Sequence, residues 1–198
     1  MPAKTMKMKT TRNEQSNHDP VMNTYKTFLT DLLEAEHSKA QTLRIVEWIG
    51  GDAERLAALM EIFMGDEYRL TQRSAWAVQY VCKKYPYLLA PWQQEMIVYL
   101  RKPGIHDAVK RNILSVFEKT SVPAEWHGEL ADICFGFLAS PNEAVAIRCL
   151  SMSVLADICE EIPELTPELR LLLETHYEHG TAALKSRTRS VLTRLAKR

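Results

Sequence analysis

The sequence predicts an all-α protein built from about five stacked helical hairpins. Strong helix formers are abundant, apolar residues make up 46% of the chain, and only 7 residues are glycine. No stretch shows the alternation of apolar and polar residues expected of a half-buried strand. An apolar pattern also recurs at intervals of 31 to 39 residues, which is typical of stacked hairpins rather than a closed bundle.

The recurring pattern is an apolar stripe of the form φ-x-x-φ-φ-x-x-φ-φ, where φ is an apolar residue. This spacing gives one buried face of an α-helix and marks the first helix of each hairpin. Of its 25 positions, 23 are apolar, and the exceptions are Glu95 and His176. The five copies begin at Tyr25, Leu56, Trp92, Leu130 and Leu169.

An arginine marks the second helix of each predicted hairpin. The five arginines follow the first stripe residue by 17 to 19 residues, and they are Arg44, Arg73, Arg111, Arg148 and Arg187. The two patterns therefore keep the same period. The predicted second helices cover residues 38–50, 70–84, 105–119, 141–158 and 181–198.

Local signals predict where several of these helices begin. In "SPNE", Ser140 is placed to cap a helix, Pro141 to occupy its first position and Glu143 to complete a capping box. Ser38 in "SKAQ" and Thr166 in "TPEL" predict similar starts.

The N-terminal segment and the cysteines predict the domain boundary and the cellular compartment. Residues 1–21 are polar and predict a disordered tail, leaving residues 22–198 as the repeat domain. Four widely spaced cysteines without a secretory segment predict reduced thiols in the cytoplasm, and they are Cys82, Cys134, Cys149 and Cys159. No uncharged stretch is long enough for a membrane span.

The hairpins resemble HEAT repeats of the armadillo type. The stretches "HDAVKR", "EAVAIR" and "ALKSR" carry an arginine early in the second helix, and Asp107 matches the family's usual acidic residue before it. Longer segments such as "EHSKAQTLRIVEWIG" and "ADICFGFL" are similar to short bacterial HEAT-like proteins. The resemblance implies a right-handed α-α superhelix whose second helices line the concave side. It implies no particular catalytic activity.

Charge is divided unequally between the two helices of each hairpin. The second helices hold 15 Lys or Arg and 5 Asp or Glu, whereas the rest of residues 22–198 holds 6 basic and 18 acidic residues. With the resemblance, this split implies a basic concave groove. The alternative is that the arginines bridge neighbouring repeats. The candidate groove residues are Arg44, Arg73, Trp76, Asp107, Lys110, Arg111, Arg148, Lys185 and Arg187.

We therefore expect a noncatalytic scaffold that binds an acidic protein segment or another polyanion. Nucleic acid is an alternative partner, and the chain also resembles HEAT-like DNA glycosylases that act on alkylated bases. That activity would draw on Trp76 for stacking and Asp107 for acid chemistry. In the simpler interpretation Trp76 belongs to the core, and Asp107 caps its helix and pairs with Arg111 four residues later.

The sequence lacks the common motifs of nucleotide-binding proteins and serine hydrolases. The phosphate-binding loop, the dinucleotide-binding turn and the serine-hydrolase elbow are absent from the sequence. His176 and His179 share one helix side, but His176 occupies a stripe position, which predicts a packed histidine rather than a zinc ligand. We expect no metal or cofactor, and the sequence leaves the oligomeric state open.

Overall fold

The computed structural model describes residues 20–197, which form five antiparallel helical hairpins without a β-strand in this range. The result confirms the all-α repeat solenoid. The helices are α1 (Pro20–Ala35), α2 (Lys39–Ile49), α3 (Ala53–Phe63), α4 (Tyr68–Lys84), α5 (Gln93–Tyr99), α6 (Asp107–Phe117), α7 (His127–Ala139), α8 (Val145–Glu161), α9 (Thr166–Tyr177) and α10 (Ala182–Leu195). Residues 1–19, which hold most of the predicted tail, lie outside the described range.

The apolar stripe forms the core as predicted. Of its 25 positions only Phe28 and Glu95 are exposed, and the others are buried or half-buried. All of these except His176 and Tyr177 join one continuous apolar cluster that runs through all five hairpins. Each hairpin thus buries its stripe against its neighbours, which is why stacked repeats are stable together.

Successive second helices lie side by side along the stack. α2 packs on α4, α4 on α6, α6 on α8, and α8 on α10. Their side of the molecule is called the inner side below, and it is the side on which the sequence predicts a groove. Within residues 20–197, no helix has the length and apolar character needed to cross a bilayer.

One predicted helix start is confirmed. Ser38 caps α2, since its hydroxyl accepts a hydrogen bond from the Gln41 N–H at 3.1 Å. At Thr166 the prediction gives the position but not the cap, because Thr166 is the first residue of α9 and makes no capping hydrogen bond.

Two other predictions about helix starts are wrong. α8 begins at Val145 rather than Pro141, because the Glu143 carboxylate binds Lys110 of the preceding hairpin instead of completing a capping box. Asp107 does not cap α6, because His106 is the capping residue: its ring accepts a hydrogen bond from the Ala108 N–H at 2.9 Å.

Candidate binding groove

A groove of about 520 Å³ opens on the inner side, where α4, α6 and α8 face one another. We call it the central groove. Two candidates predicted from the sequence, Trp76 and Arg111, lie in it together. Its lining residues are His37, Gln72, Trp76, Gln79, Ala108, Arg111, Asn112, Ser115 and Leu150.

α4 supplies one wall of the central groove. Gln72, Trp76 and Gln79 are spaced four and three residues apart, so they lie on one face of the helix. The Trp76 ring packs edge-on against the Tyr80 ring, with 5.9 Å between the ring centres. The centre of the His37 ring lies 6.4 Å from that of Trp76. Trp76 is half-buried. The interpretation of Trp76 as a core residue is wrong, because it lies outside the apolar core cluster. Its use as a stacking surface stays a prediction.

α6 supplies the opposite wall and two unsatisfied polar groups. Arg111 is exposed and makes no hydrogen bond or ion pair with any residue of the described chain. Asn112 is only 5% exposed, and its carboxamide has no hydrogen-bonding partner among residues 20–197 either. Water reaches this carboxamide where it borders the groove, since Arg55 Nε is the only buried side-chain nitrogen or oxygen without a partner in residues 20–197. Asn112 therefore keeps hydrogen-bonding capacity at the groove surface.

Two other arginines of the ladder bind backbone carbonyl groups within the protein. Arg73 donates to the carbonyl oxygens of Leu33 at 2.7 Å and Glu34 at 3.0 Å, at the end of α1. The guanidinium of Arg148, a residue only 8% exposed, donates to the carbonyl oxygen of Leu138 at 3.1 Å. These contacts satisfy carbonyl groups that a helix end leaves without partners.

Arg44 is held more weakly. Its guanidinium donates to the Gln41 side chain at 3.2 Å, and Gln41 in turn donates to the Leu32 carbonyl at 2.7 Å. Arg44 does not line the central groove.

The candidate lysine of α6 forms an ion pair between hairpins. Lys110 lies 2.9 Å and 3.1 Å from the two carboxylate oxygens of Glu143, with the side chains 18% and 11% exposed. Lys110 is thus not the free groove cation expected from the sequence. Lys185 lies away from the central groove, with its ammonium 5.7 Å from the centre of the Tyr177 ring.

A charged cluster joins the last three second helices. Arg187 of α10 binds Glu118, just after α6, at 2.7 Å and also donates to Ser153 of α8. Burial by itself raises the pKa of Glu118, but hydrogen bonds from Arg187 and Ser153 outweigh it and hold that pKa below its ordinary value. The positive charge of Arg187 is therefore neutralised inside the protein.

Arg194 extends this cluster along α10. It binds Asp157 at 2.6 Å and Glu160 at 2.7 Å, both on α8. Together with the other contacts, this favours the bridging interpretation for most of the predicted basic ladder. Within residues 20–197, Arg111 is the member of the ladder with neither a hydrogen bond nor an ion pair, and Arg44 has only its hydrogen bond to Gln41.

The residues required for base excision do not meet. Asp107 is exposed on the first turn of α6, lies 3.9 Å from Lys110, and does not line the groove that holds Trp76. The predicted pair between Asp107 and Arg111 is also absent from the described structure.

Other reactive side chains are placed in structural positions. All four cysteines are free and buried, and burial raises the pKa of Cys82 and of Cys134 to about 12, so neither thiol is a ready nucleophile. His176 is half-buried, and its pKa is lowered by burial and then by the charge of Arg148. Across residues 20–197 no group of three His, Cys, Asp or Glu side chains could hold a metal ion.

Sequence reasoning missed five polar groove residues, which are His37, Gln72, Gln79, Asn112 and Ser115. Asn112 carried a usable signal, because it interrupts the buried face formed by Val109, Ile113 and Val116. A polar side chain in such a position needs a partner, and none is visible in the sequence around it.

Comparison with known proteins identifies the repeat. A family model described as a HEAT repeat domain matches residues 29–195. Comparisons with curated proteins and with solved structures return no significant match. The matched range includes all but the first turns of α1 and reaches the last residue of α10. The chain therefore belongs to the HEAT repeat family.

Proposed function

We propose that the protein is a noncatalytic cytoplasmic scaffold whose central groove binds an acidic segment of a partner protein. HEAT repeats typically mediate protein interactions. The observation that carries the proposal is the pair of adjacent residues Arg111 and Asn112. One is a cation and the other a carboxamide, and both lack a protein partner within the described chain while lining one groove.

These two side chains match the chemistry of an acidic peptide. The Asn112 carboxamide can donate to a backbone carbonyl oxygen and accept from a backbone N–H of the same peptide. The Arg111 guanidinium can hold a carboxylate through two parallel hydrogen bonds. Trp76 adds a rigid aromatic surface of the kind that often contributes most to a protein interface.

The pairing of the other cations favours a protein segment over a long polyanion. Arg73, Arg148 and Arg187 are engaged in hydrogen bonds within the protein, and Lys110 is neutralised by Glu143. Nucleic acids are held by many phosphate contacts. One unpaired arginine in the groove suits a single carboxylate better than a row of phosphates.

The test measures binding of fluorescent acidic peptides to the wild-type protein and to Arg111→Gln. Losing a charge-assisted hydrogen bond costs ~1.5–3 kcal/mol, so we expect the affinity to fall by roughly 10- to 150-fold. Asn112→Ala should also weaken binding. The matched control is Arg170→Gln, which removes the same charge from α9, outside the central groove.

Two outcomes would contradict the proposal. An equal loss in Arg111→Gln and Arg170→Gln would show that only general electrostatic attraction was measured. Duplex DNA binding more tightly than any acidic peptide, with a steep salt dependence, would favour the nucleic-acid alternative.

A further inference from the structure

The first hairpin leaves an apolar cleft open at the N-terminal end of the solenoid. The cleft has a volume of about 400 Å³ and is lined by Phe28, Leu32, Arg44, Glu47 and Trp48. Phe28 is 41% exposed, and its ring packs against that of Trp48 with 4.8 Å between the ring centres. On its other side the hairpin packs on α3 and α4, so the cleft lies where a preceding repeat would stack.

The two ends of the solenoid differ in character. At the C-terminal end, the outer surface of α10 presents Arg189, Ser190, Thr193 and Lys197. Solenoid end repeats that face solvent carry such a polar surface. The cleft of the first hairpin presents aromatic and aliphatic surface instead, with Phe28 41% exposed beside Trp48.

Two unpaired charges of opposite sign flank this cleft. Arg44 and Glu47 lie three residues apart on α2 and are both exposed. Within residues 20–197 neither forms an ion pair, with each other or with any other side chain; Arg44 has only its hydrogen bond to Gln41. Such a surface can pair with itself. When two copies of α2 meet antiparallel about a two-fold axis, Arg44 of each copy faces Glu47 of the other.

We propose that the protein forms a symmetric homodimer through this cleft, with Phe28 and Trp48 in the apolar centre and two Arg44–Glu47 ion pairs beside them. A two-fold interface uses the same patch on both copies, so one patch must carry both signs of charge. The cleft meets that requirement. This contact lies at the end of the solenoid and leaves the central groove open.

The preceding segment of the chain suits the cleft less well. Residues 1–19 carry four basic and two acidic residues, and methionines are their only large apolar side chains. Such a segment offers little apolar surface to cover Phe28 and Trp48. A second copy brings an identical aromatic pair together with the complementary charges.

Analytical ultracentrifugation of the full chain over a range of concentrations tests the proposal. We expect a reversible monomer–dimer equilibrium in the wild-type protein. Glu47→Arg places arginines opposite each other and should raise the dimer dissociation constant on the order of 100-fold, since like charges across an interface are strongly unfavourable. The double variant Arg44→Glu/Glu47→Arg exchanges the charges and should restore dimerisation.

Two variants separate this contact from other effects. Glu164→Arg makes the same charge change at an exposed position before α9 and should leave the equilibrium unchanged. Arg111→Gln should also dimerise normally, so the test does not depend on the groove. Helical circular dichroism confirms that each variant is folded.

Three results would overturn the proposal. A wild-type chain that stays monomeric at every concentration would show that the cleft does not bind a second copy. A dimer that Glu47→Arg leaves intact would place the contact elsewhere. A monomer that dimerises only after removal of residues 1–19 would show that this segment covers the cleft.

Discussion

Replacing Arg148 with methionine tests whether the ladder arginines stabilise the fold. Arg148 is 8% exposed, and its Nε donates to the Leu138 carbonyl oxygen at 3.1 Å, near the end of α7. Methionine keeps most of the apolar stem but removes this charged donor. A hydrogen bond to a charged group contributes about 1.5–3 kcal/mol, and a cation near a helix C-terminus adds a few tenths of a kcal/mol more.

We therefore expect Arg148→Met to lower the free energy of unfolding by about 2 kcal/mol. In a protein of this size that corresponds to a fall in melting temperature of roughly 4–8 °C. Urea unfolding followed by circular dichroism, together with thermal melts, measures both quantities. The pKa of His176 should also rise, because the charge of Arg148 helps to lower it.

The matched control is Arg111→Met, which changes the same side chain at the equivalent position of the third hairpin. Arg111 is exposed and unpaired within the described chain, so its loss should alter stability by no more than about 0.5 kcal/mol. Equal stability losses in the two variants would refute the division between a structural and a free arginine. So would an Arg148→Met protein as stable as the wild type.

Two further variants test the ion pairs between hairpins. Lys110→Glu should destabilise the protein by roughly 3 kcal/mol in urea unfolding, because it sets a second carboxylate against the largely buried Glu143; stability equal to wild type would show that the pair contributes nothing. Glu118→Gln should lower stability at neutral pH, because Arg187 and Ser153 hold the pKa of Glu118 below its ordinary value. A lowered carboxyl pKa stabilises the fold above the unfolded-state pKa, and this contribution disappears as pH falls through the folded-state pKa. The difference in unfolding midpoint between wild type and Glu118→Gln should therefore narrow in acid, and a difference independent of pH would contradict this origin.

The fold was readable from the sequence because its signal is periodic. The stripe positions from Leu29 to Leu173 repeat in step with the second-helix arginines, and one buried face per helix follows directly. Local signals at helix starts were less reliable where a distant residue competed. Glu143 is the clearest case, because its carboxylate is bound by a lysine 33 residues earlier in the chain.

The candidate site was readable only in part. Arg111 and Arg148 occupy equivalent places in the repeat, yet one is exposed and the other binds a helix end. No neighbouring residue distinguishes them, because the difference depends on which carbonyl groups the folded hairpins bring near. Arg73 shows the same limit, since its acceptors lie 39 and 40 residues away.

The polar contacts between hairpins change in balance along the chain, and this gives the solenoid a direction of fraying. Near the N-terminus, Lys26 and Glu61 form one ion pair between the first two hairpins at 3.0 Å, and Arg73 also holds the end of α1 through backbone carbonyls, which do not titrate. At the other end, Arg194 holds α10 to α8 through ion pairs with Asp157 and Glu160. Salt screens the attraction in these ion pairs, and acid removes it by protonating the carboxylates. Rising salt or falling pH therefore loosens the last hairpin first, while the first hairpin stays attached to the stack.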